Sequence, residues 1–243
     1  MMANGTGPQS PGNGSTADTL VMSSETRSAA LVVPALPVRS VPVSKRLFDI
    51  GIASLGLLAS SPVWALLAVL IKLEDGGPVF YNQERVGESG RRFRVWKFRS
   101  MVPDAEKQVG AVQATENDPR VTRIGRVMRA TAMDELPQLW NIFIGDMSFV
   151  GPRALRPGEI EVLSNGTFEA LEDVPGYAER CAVRPGLTGI AQVYAPRDVT
   201  RRRKFRYDRL YIRRQSFWLD VRLMSLSFWI TFRGRWEARA TKL

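Results

Sequence analysis

Between Ile50 and Ile71 the chain carries no charged residue. Wound as a helix rising about 1.5 Å per residue, a run of this length covers the roughly 30 Å hydrocarbon core of a bilayer. A buried helix in a soluble domain is the competing reading, but such helices rarely go this far without a charge. Ser60-Ser61-Pro62 falls near the middle of the run. Pro62 lacks an N–H and its ring crowds the preceding turn, which predicts a break or kink there. The serine hydroxyls can bond back to the freed carbonyls. Lys45 and Arg46 precede the run, and Lys72 and a cationic body follow it. Positive charge at both ends favours holding both on the cytoplasmic side. A re-entrant helix broken at Ser61 and Pro62, entering and leaving one leaflet, meets all these conditions. A straight single pass with the N-terminal tail outside is the alternative.

Composition narrows the chemistry. The 243 residues include one cysteine, Cys181, and no histidine, with a formal net charge of +10. No intrachain disulfide can form. Histidine general bases, Ser-His-Asp triads and the usual zinc sites are excluded. A metal would be held by carboxylate and phosphate oxygens, which favours magnesium or manganese. The positive balance points to anionic partners: nucleotide phosphates, nucleic acid or an anionic membrane surface. Residues 1–40, rich in Gly, Ser, Thr, Pro and Ala, have no basic segment leading into an apolar core. They read as a disordered tail rather than a secretory signal.

Beyond Glu74-Asp75-Gly76-Gly77-Pro78 the chain becomes soluble in character, with a short strand expected at Val79-Phe80-Tyr81 and a turn at Glu88-Ser89-Gly90. Arg92 to Arg99 alternates basic and apolar residues, the period of a strand with one wet face. A solvated edge strand explains it; a functional strand would turn Lys97 or Arg99 toward a phosphate. Pro103 to Gln113 reads as a polar helix, and Arg123, Arg126 and Arg129 recur along one side of a second.

Next come two adjacent carboxylates, in Thr131-Ala132-Met133-Asp134-Glu135-Leu136-Pro137-Gln138-Leu139-Trp140-Asn141. The spacing predicts Thr131 as a helix N-cap, with Asp134 and Glu135 at a helix start where backbone donors and the dipole favour anions. Neighbours on a helix diverge by about 100°, so the two carboxylates cannot face one atom alike. They can divide labour, one attacking and one holding a metal. Taken alone the pair is weak evidence, and ordinary capping is the better explanation of it. Downstream, Gly145 to Arg153 reads as turn, strand, turn, and Arg184 to Val193 as a Gly/Pro-punctuated loop entering a strand.

Taken together and in order, these segments resemble a known family. They are Lys45-Arg46-Leu47-Phe48-Asp49, Pro62 in the apolar run, Pro78 to Gly87, Trp96 to Met101, Asp134 to Asn141, Met147 to Arg153 and Arg184 to Gly189. From about Val43 to Arg222 the chain resembles the bacterial sugar transferases, small monotopic phosphoglycosyl transferases acting on polyprenyl phosphate. The resemblance implies an α+β fold: a re-entrant helix, interfacial amphipathic helices and a small catalytic domain on the cytoplasmic face of a bacterial inner membrane. It implies Asp134 as nucleophile, Glu135 holding Mg2+, and Lys97, Arg129 and Arg153 as active-site cations. Arg184 and Gln192 would lie in the loop and strand near the nucleotide. The implied reaction is ping-pong. Asp134 attacks the sugar-proximal phosphate of a UDP-sugar, UMP leaves, and polyprenyl phosphate takes the phosphosugar. Here Ala154 follows Arg153 where the family often has proline, which leaves the local loop shape in question. Larger members carry further N-terminal membrane spans; 1–39 has none, so a minimal form is expected.

The C-terminal segment interleaves arginines with Phe205, Tyr207, Tyr211, Phe217, Trp218, Phe228 and Trp229. That composition suits helices at an anionic membrane surface. A nucleic-acid site is the rival, disfavoured by the long apolar run. The expected division is a tail (1–40), a membrane helix (41–75) and a catalytic domain with interfacial helices (76–243). The expected partners are UDP-sugar, polyprenyl phosphate and membrane lipid, with no nucleic acid; a homo-oligomer is left open. A membrane-anchored scaffold of the same fold without catalysis is the alternative function.

Overall fold

The uncharged run lies inside one hydrogen-bonded helix, α1 (Val43–Asp75). The structure, a computed structural model, describes residues 41–105, 118–162, 166–196 and 199–233. The expected tail and most of the helix expected at Pro103–Gln113 lie outside these residues. Pro62 sits inside α1, where it leaves the Leu58 carbonyl without its helical donor. The Ser61 hydroxyl donates to that carbonyl at 2.8 Å, and Ser60 Oγ accepts from Trp64 Nε1 at 3.0 Å. The helix stops at Gly76, whose left-handed backbone (φ 72°) returns its N–H to Lys72 O.

One stripe of α1 faces protein and the rest does not. Ala53 joins a core formed with Phe93, Val95, Leu139, Ile142 and Val150, while Leu67 and Ile71 join a separate cluster with Phe98 and Met128. Leu55, Leu58, Leu66 and Val69, at the helical spacings between them, are exposed. An exposed apolar surface this long is what lipid would cover.

The body is helices around small sheets. β1 (Phe80–Val86) pairs antiparallel with β2 (Arg92–Phe98), so the expected short first strand is longer than Val79–Tyr81. Phe93 and Val95 of β2 are buried and Arg92 and Arg94 exposed, as its alternation predicts. Lys97 shares the inner face with Phe93 and Val95. α2 (Arg123–Ala130) and α3 (Gln138–Ile144) follow; Leu139 of α3 lies against Gly56 of α1, where a side chain would be 3.1 Å from it.

β3 (Ser148–Val150) pairs in parallel with β6 (Gly186–Thr188), joining the two Gly/Pro motifs. Gly151 N–H donates to Thr188 O and Gly186 N–H to Pro152 O, both at 2.9 Å. A Cβ on Gly186 would fall 2.0 Å from Gly151 N, so only glycine lets these backbones meet. A hairpin, β4 (Ile160–Val162) with β5 (Phe168–Ala170), and a short helix α4 (Tyr177–Arg180) lie between them in sequence.

The stretch after Gly189, expected as a strand, is instead helix α5 (Ile190–Tyr194). Ile190 and Val193 are its buried pair, a spacing of three that suits a helix face and not a pleat. α6 (Arg201–Arg214) and α7 (Phe217–Phe232) close the fold. Both bury a stripe, with Phe205, Tyr211, Leu223 and Ile230 inside, and leave Trp218, Phe228 and Phe232 exposed.

Candidate active site

The carboxylate pair sits on a connection rather than in a helix. α2 ends at Ala130, and Thr131, expected as an N-cap, caps the end of α2 instead. Its hydroxyl lies 2.8 Å from Val127 O and 3.2 Å from Met128 O, back toward the preceding turn. The reason is Ala132, which takes a left-handed conformation (φ 56°) and turns the chain before a new helix can begin. For a residue with a Cβ that backbone costs on the order of 1 kcal/mol. A single 3-10 turn, Met133–Glu135, then presents Asp134 and Glu135, and Pro137 leads into α3. The pair therefore does precede a helix, one turn earlier than Thr131 suggested.

Cations from three elements converge on this turn. Lys97 Nζ, at the end of β2, donates to Glu135 Oε1 at 2.6 Å and stands 4.0 Å from Asp134 Oδ2. Arg153 Nη2, delivered by the Gly151-Pro152 corner after β3, lies 3.8 Å from Glu135 Oε1. Arg129, in the last turn of α2, acts on Asp134 through its charge, and the side chain of Gln138 bonds Glu135. Burial pushes the Asp134 carboxyl up to about 6, with the negative Glu135 adding to the rise and Lys97 and Arg129 opposing it. Burial acts the same way on Glu135. There the charges of Lys97 and Arg153 and the bonds from Lys97 and Gln138 outweigh it and hold the carboxyl down at about 2. Adjacent carboxylates pushed in opposite directions are fitted to different tasks.

A model of the family described as bacterial sugar transferase matches residues 40–234. The chain belongs to the bacterial sugar transferases. It is 39% identical over 206 residues to the UDP-glucose:undecaprenyl-phosphate glucose-1-phosphate transferase of Klebsiella pneumoniae, a match covering 80% of this chain and 43% of that protein. To the UDP-N-acetylgalactosamine-undecaprenyl-phosphate N-acetylgalactosaminephosphotransferase of Aeromonas hydrophila it is 43% identical over 180 residues, covering 73% and 41%. To the exopolysaccharide production protein PSS of Rhizobium leguminosarum bv. phaseoli it is 41% identical over 187 residues, covering 75% and 92%. The chain thus spans less than half the length of the first two relatives.

Three other residues singled out in this sugar transferase lie away from the pair. Arg99 follows Lys97 by two, but its buried guanidinium pairs with Asp75 at the end of α1. Where a phosphate was expected the guanidinium meets the Asp75 carboxylate instead, while the Arg99 N–H extends the strand pairing to Val79 O. Arg184 pairs with Glu88 at 3.3 Å, in a cavity near the opposite end of β2. Gln192 is buried on α5 with Nε2 3.5 Å from Gly151 O, so it touches the strand-end corner that delivers Arg153.

Sequence reasoning missed the supports. Lys45 Nζ donates to Val150 O at 3.1 Å and to Asp220 Oδ2 at 2.5 Å, and the Tyr211 hydroxyl lies 2.9 Å from both Val150 O and Asp220 Oδ1. Asp49 accepts from Ser148 Oγ and from Phe149 N–H, each at 3.1 Å. Arg180 donates to the Arg153 carbonyl at 2.5 Å and to Asp208 at 3.1 Å. α1 thus holds β3, and the corner after β3 carries Arg153. Lys45 and Asp49 stand one turn apart at the head of an apolar helix, and Asp220 interrupts another; those charges were the signal available.

Proposed function

We propose that the chain moves a sugar phosphate from a UDP-sugar to undecaprenyl phosphate, releasing UMP and leaving an undecaprenyl-diphosphate sugar. The relatives' names describe donors and acceptors of this kind, and the carboxylate pair supplies a reason. Asp134, with its carboxyl raised to about 6, stays mostly ionised near pH 7 yet is more basic than an ordinary aspartate. It is the better nucleophile of the two.

In the first half, an Asp134 oxygen attacks the sugar-proximal phosphorus. The bond to the bridging oxygen breaks, and UMP takes the electron pair. In the second half, an oxygen of undecaprenyl phosphate attacks the same phosphorus and Asp134 is returned as carboxylate. Lys97, Arg129 and Arg153 offset the repulsion between carboxylate and phosphate and orient the diphosphate. Among the described residues no cluster of three or more acidic or thiol side chains could hold a metal without substrate. Magnesium is content with one or two carboxylates plus water and substrate phosphates, so an ionised Glu135 beside Asp134 fits it. Bound there, it would neutralise phosphoryl oxygens.

The re-entrant topology belongs to the same proposal, and the two ends of α1 support it. Lys45 and Asp49 bond β3 and α7, while Asp75 pairs with Arg99 and the Glu74 carboxylate accepts from Arg123 and Ile124 N–H at the start of α2. Both ends are tied to one polar body, which supports a helix that enters and leaves the membrane on the same side. We take the membrane to be the bacterial inner membrane, with the body on its cytoplasmic face, because undecaprenyl phosphate and UDP-sugar would both be reached there.

The carrying observation is the buried carboxylate pair ringed by Lys97 and Arg153, and the test is which nucleotide leaves. With magnesium, undecaprenyl phosphate and a panel of UDP-sugars, the expected product is UMP, lost in Asp134→Asn. Release of UDP would mean glycosyl transfer and overturn the role given to Asp134.

A further inference from the structure

At the end of β2 remote from Lys97 lies a polar cavity of about 510 Å³, lined in part by Arg46, Glu88, Arg91, Asp146 and Arg184. From Phe93, which borders it, to Lys97 is four strand steps, about 13 Å. The cavity is therefore separate from the carboxylate pair. Its charges are built in. Arg46 is held by the last carbonyls of α3, donating to Ile142 O and Phe143 O at 2.7 Å each. Arg91 pairs with Asp146 at 2.5 Å. Arg184 Nε pairs with Glu88 Oε2, yet Arg184 Nη1 and Glu88 Oε1 are buried with no hydrogen-bond partner. One unused donor and one unused acceptor, both desolvated, cost free energy unless something fills them.

A second cavity, about 310 Å³ and more apolar, shares Arg46, Glu88 and Arg184 with the first and adds Val41, Val43 and Leu47. Those residues open the membrane helix, and Val43 and Leu47 are exposed. A polar chamber thus adjoins an apolar one where α1 begins. We propose that the two cavities together bind one membrane phospholipid whose headgroup carries a hydrogen-bond donor beyond its phosphate, such as phosphatidylethanolamine or phosphatidylglycerol. The phosphate faces Arg184 Nη1 and Arg46, the headgroup ammonium or hydroxyl faces Glu88 Oε1, and the chains run out past Val43 and Leu47. This rests on the membrane-seated reading of α1. It needs no statement about which sugar is transferred.

The test uses the full chain in detergent, stripped of lipid and titrated with phosphatidylethanolamine, phosphatidylglycerol or phosphatidylcholine of identical acyl chains. Retained lipid is read by native mass spectrometry. The expected result is one lipid per chain, with both donor-bearing lipids held about tenfold more tightly than phosphatidylcholine, the scale of one charge-assisted bond. Glu88→Gln should erase that preference while leaving phosphatidylcholine retention unchanged. Arg184→Gln should weaken all three lipids. Equal retention of the three lipids by the unaltered chain would overturn the proposal, as would retention unaffected by Glu88→Gln. Soluble phosphoethanolamine competing as well as the lipid would make this a free-anion site. Displacement of lipid by UMP would make it a nucleotide subsite. Lipid mass is read without turnover, so a failed UMP-release assay on the same sample would sink the transferase reading and leave this one standing.

Discussion

Of the places where this protein buries carboxylates, two treat them differently. Under β3, Asp220 has both oxygens engaged, Oδ2 by Lys45 at 2.5 Å and Oδ1 by the Tyr211 hydroxyl at 2.9 Å. At the 3-10 turn, Asp134 is also buried, though less deeply, and Lys97 stays 4.0 Å from its Oδ2, beyond hydrogen-bond reach. Burial raises the carboxyl in both places. The first arrangement ties down a strand. The second leaves a charged oxygen uncommitted, which is useful only if something arrives to react with it. The difference is that removing the first should cost folding, and removing the second should cost activity.

Asp134→Asn is the sharpest way to break that comparison. UMP release should fall by about a thousandfold or more, since loss of a nucleophile leaves only binding and electrostatic stabilisation. Stability should move the other way. The folded carboxyl lies above its unfolded value, so its contribution is full below about pH 4 and is lost as pH rises through about 6. At pH 8 without magnesium the asparagine variant should therefore be more stable, by up to about 3 kcal/mol. Thermal melts at pH 4 and pH 8 measure this; a lower melting temperature at pH 8 would show that Asp134 is structural. Turnover of the unaltered protein should fall as pH drops through the same region.

Lys45→Met should give the opposite pattern. It leaves Asp220 buried beside Tyr211 without its cation, a loss of about 3–5 kcal/mol for a broken buried pair. The melt should drop sharply, while turnover per folded molecule at low temperature falls far less than in Asp134→Asn. A variant that melts normally would mean that α1 does not hold β3.

The asymmetry between the two places also decides what could be read from the chain. Local order was legible: the uncharged run, the alternation of Arg92 to Phe98 and the Asp134-Glu135 pair each carry their structure in a few neighbouring residues, whereas the break expected at Pro62 is not seen and the helix runs through it. Lys97, Arg129 and Arg153 were legible too, through the ordered motifs. What joins distant segments was not. Nothing near Lys45 announces Asp220, 175 positions away. Arg184 and Lys97 both sit in basic motifs, and only the course of β2 puts them at opposite ends of a strand. Thr131 has the right spacing for an N-cap, but the backbone sign at Ala132 settles which helix it caps, and spacing does not encode that. Ile190 to Val193 is β-branched enough for a strand, and packing against α6 and α7 made it helical.

Glu135→Gln tests the division of labour within the pair. With its carboxyl held at about 2, Glu135 is ionised at every working pH. Its amide would keep the shape and the contact with Lys97 weakly, but not the charge. Turnover at saturating donor should fall about a hundredfold, and the magnesium concentration for half activity should rise. A variant with unchanged magnesium dependence would move the metal to Asp134 alone or remove it.

Ser61→Ala should have the smallest effect, and it separates membrane from water as the surroundings of α1. The hydroxyl bonds the Leu58 carbonyl that Pro62 leaves without a donor, on an exposed side of the helix. In water that carbonyl would be solvated, and losing one hydroxyl would change little. In hydrocarbon it has no other partner, and the loss should approach the cost of an unmade hydrogen bond, about 1–3 kcal/mol. The variant and the unaltered chain should therefore melt alike if residues near Pro62 face water. The variant should melt a few degrees lower, in lipid nanodiscs, if they face acyl chains. Adding Pro62→Ala to the same chain supplies a backbone N–H for Leu58 and should restore the melt. If re-entry depends on Pro62, the double variant should keep its stability while losing the re-entrant seating. A labelled cysteine near residue 60 would then move deeper into the bilayer.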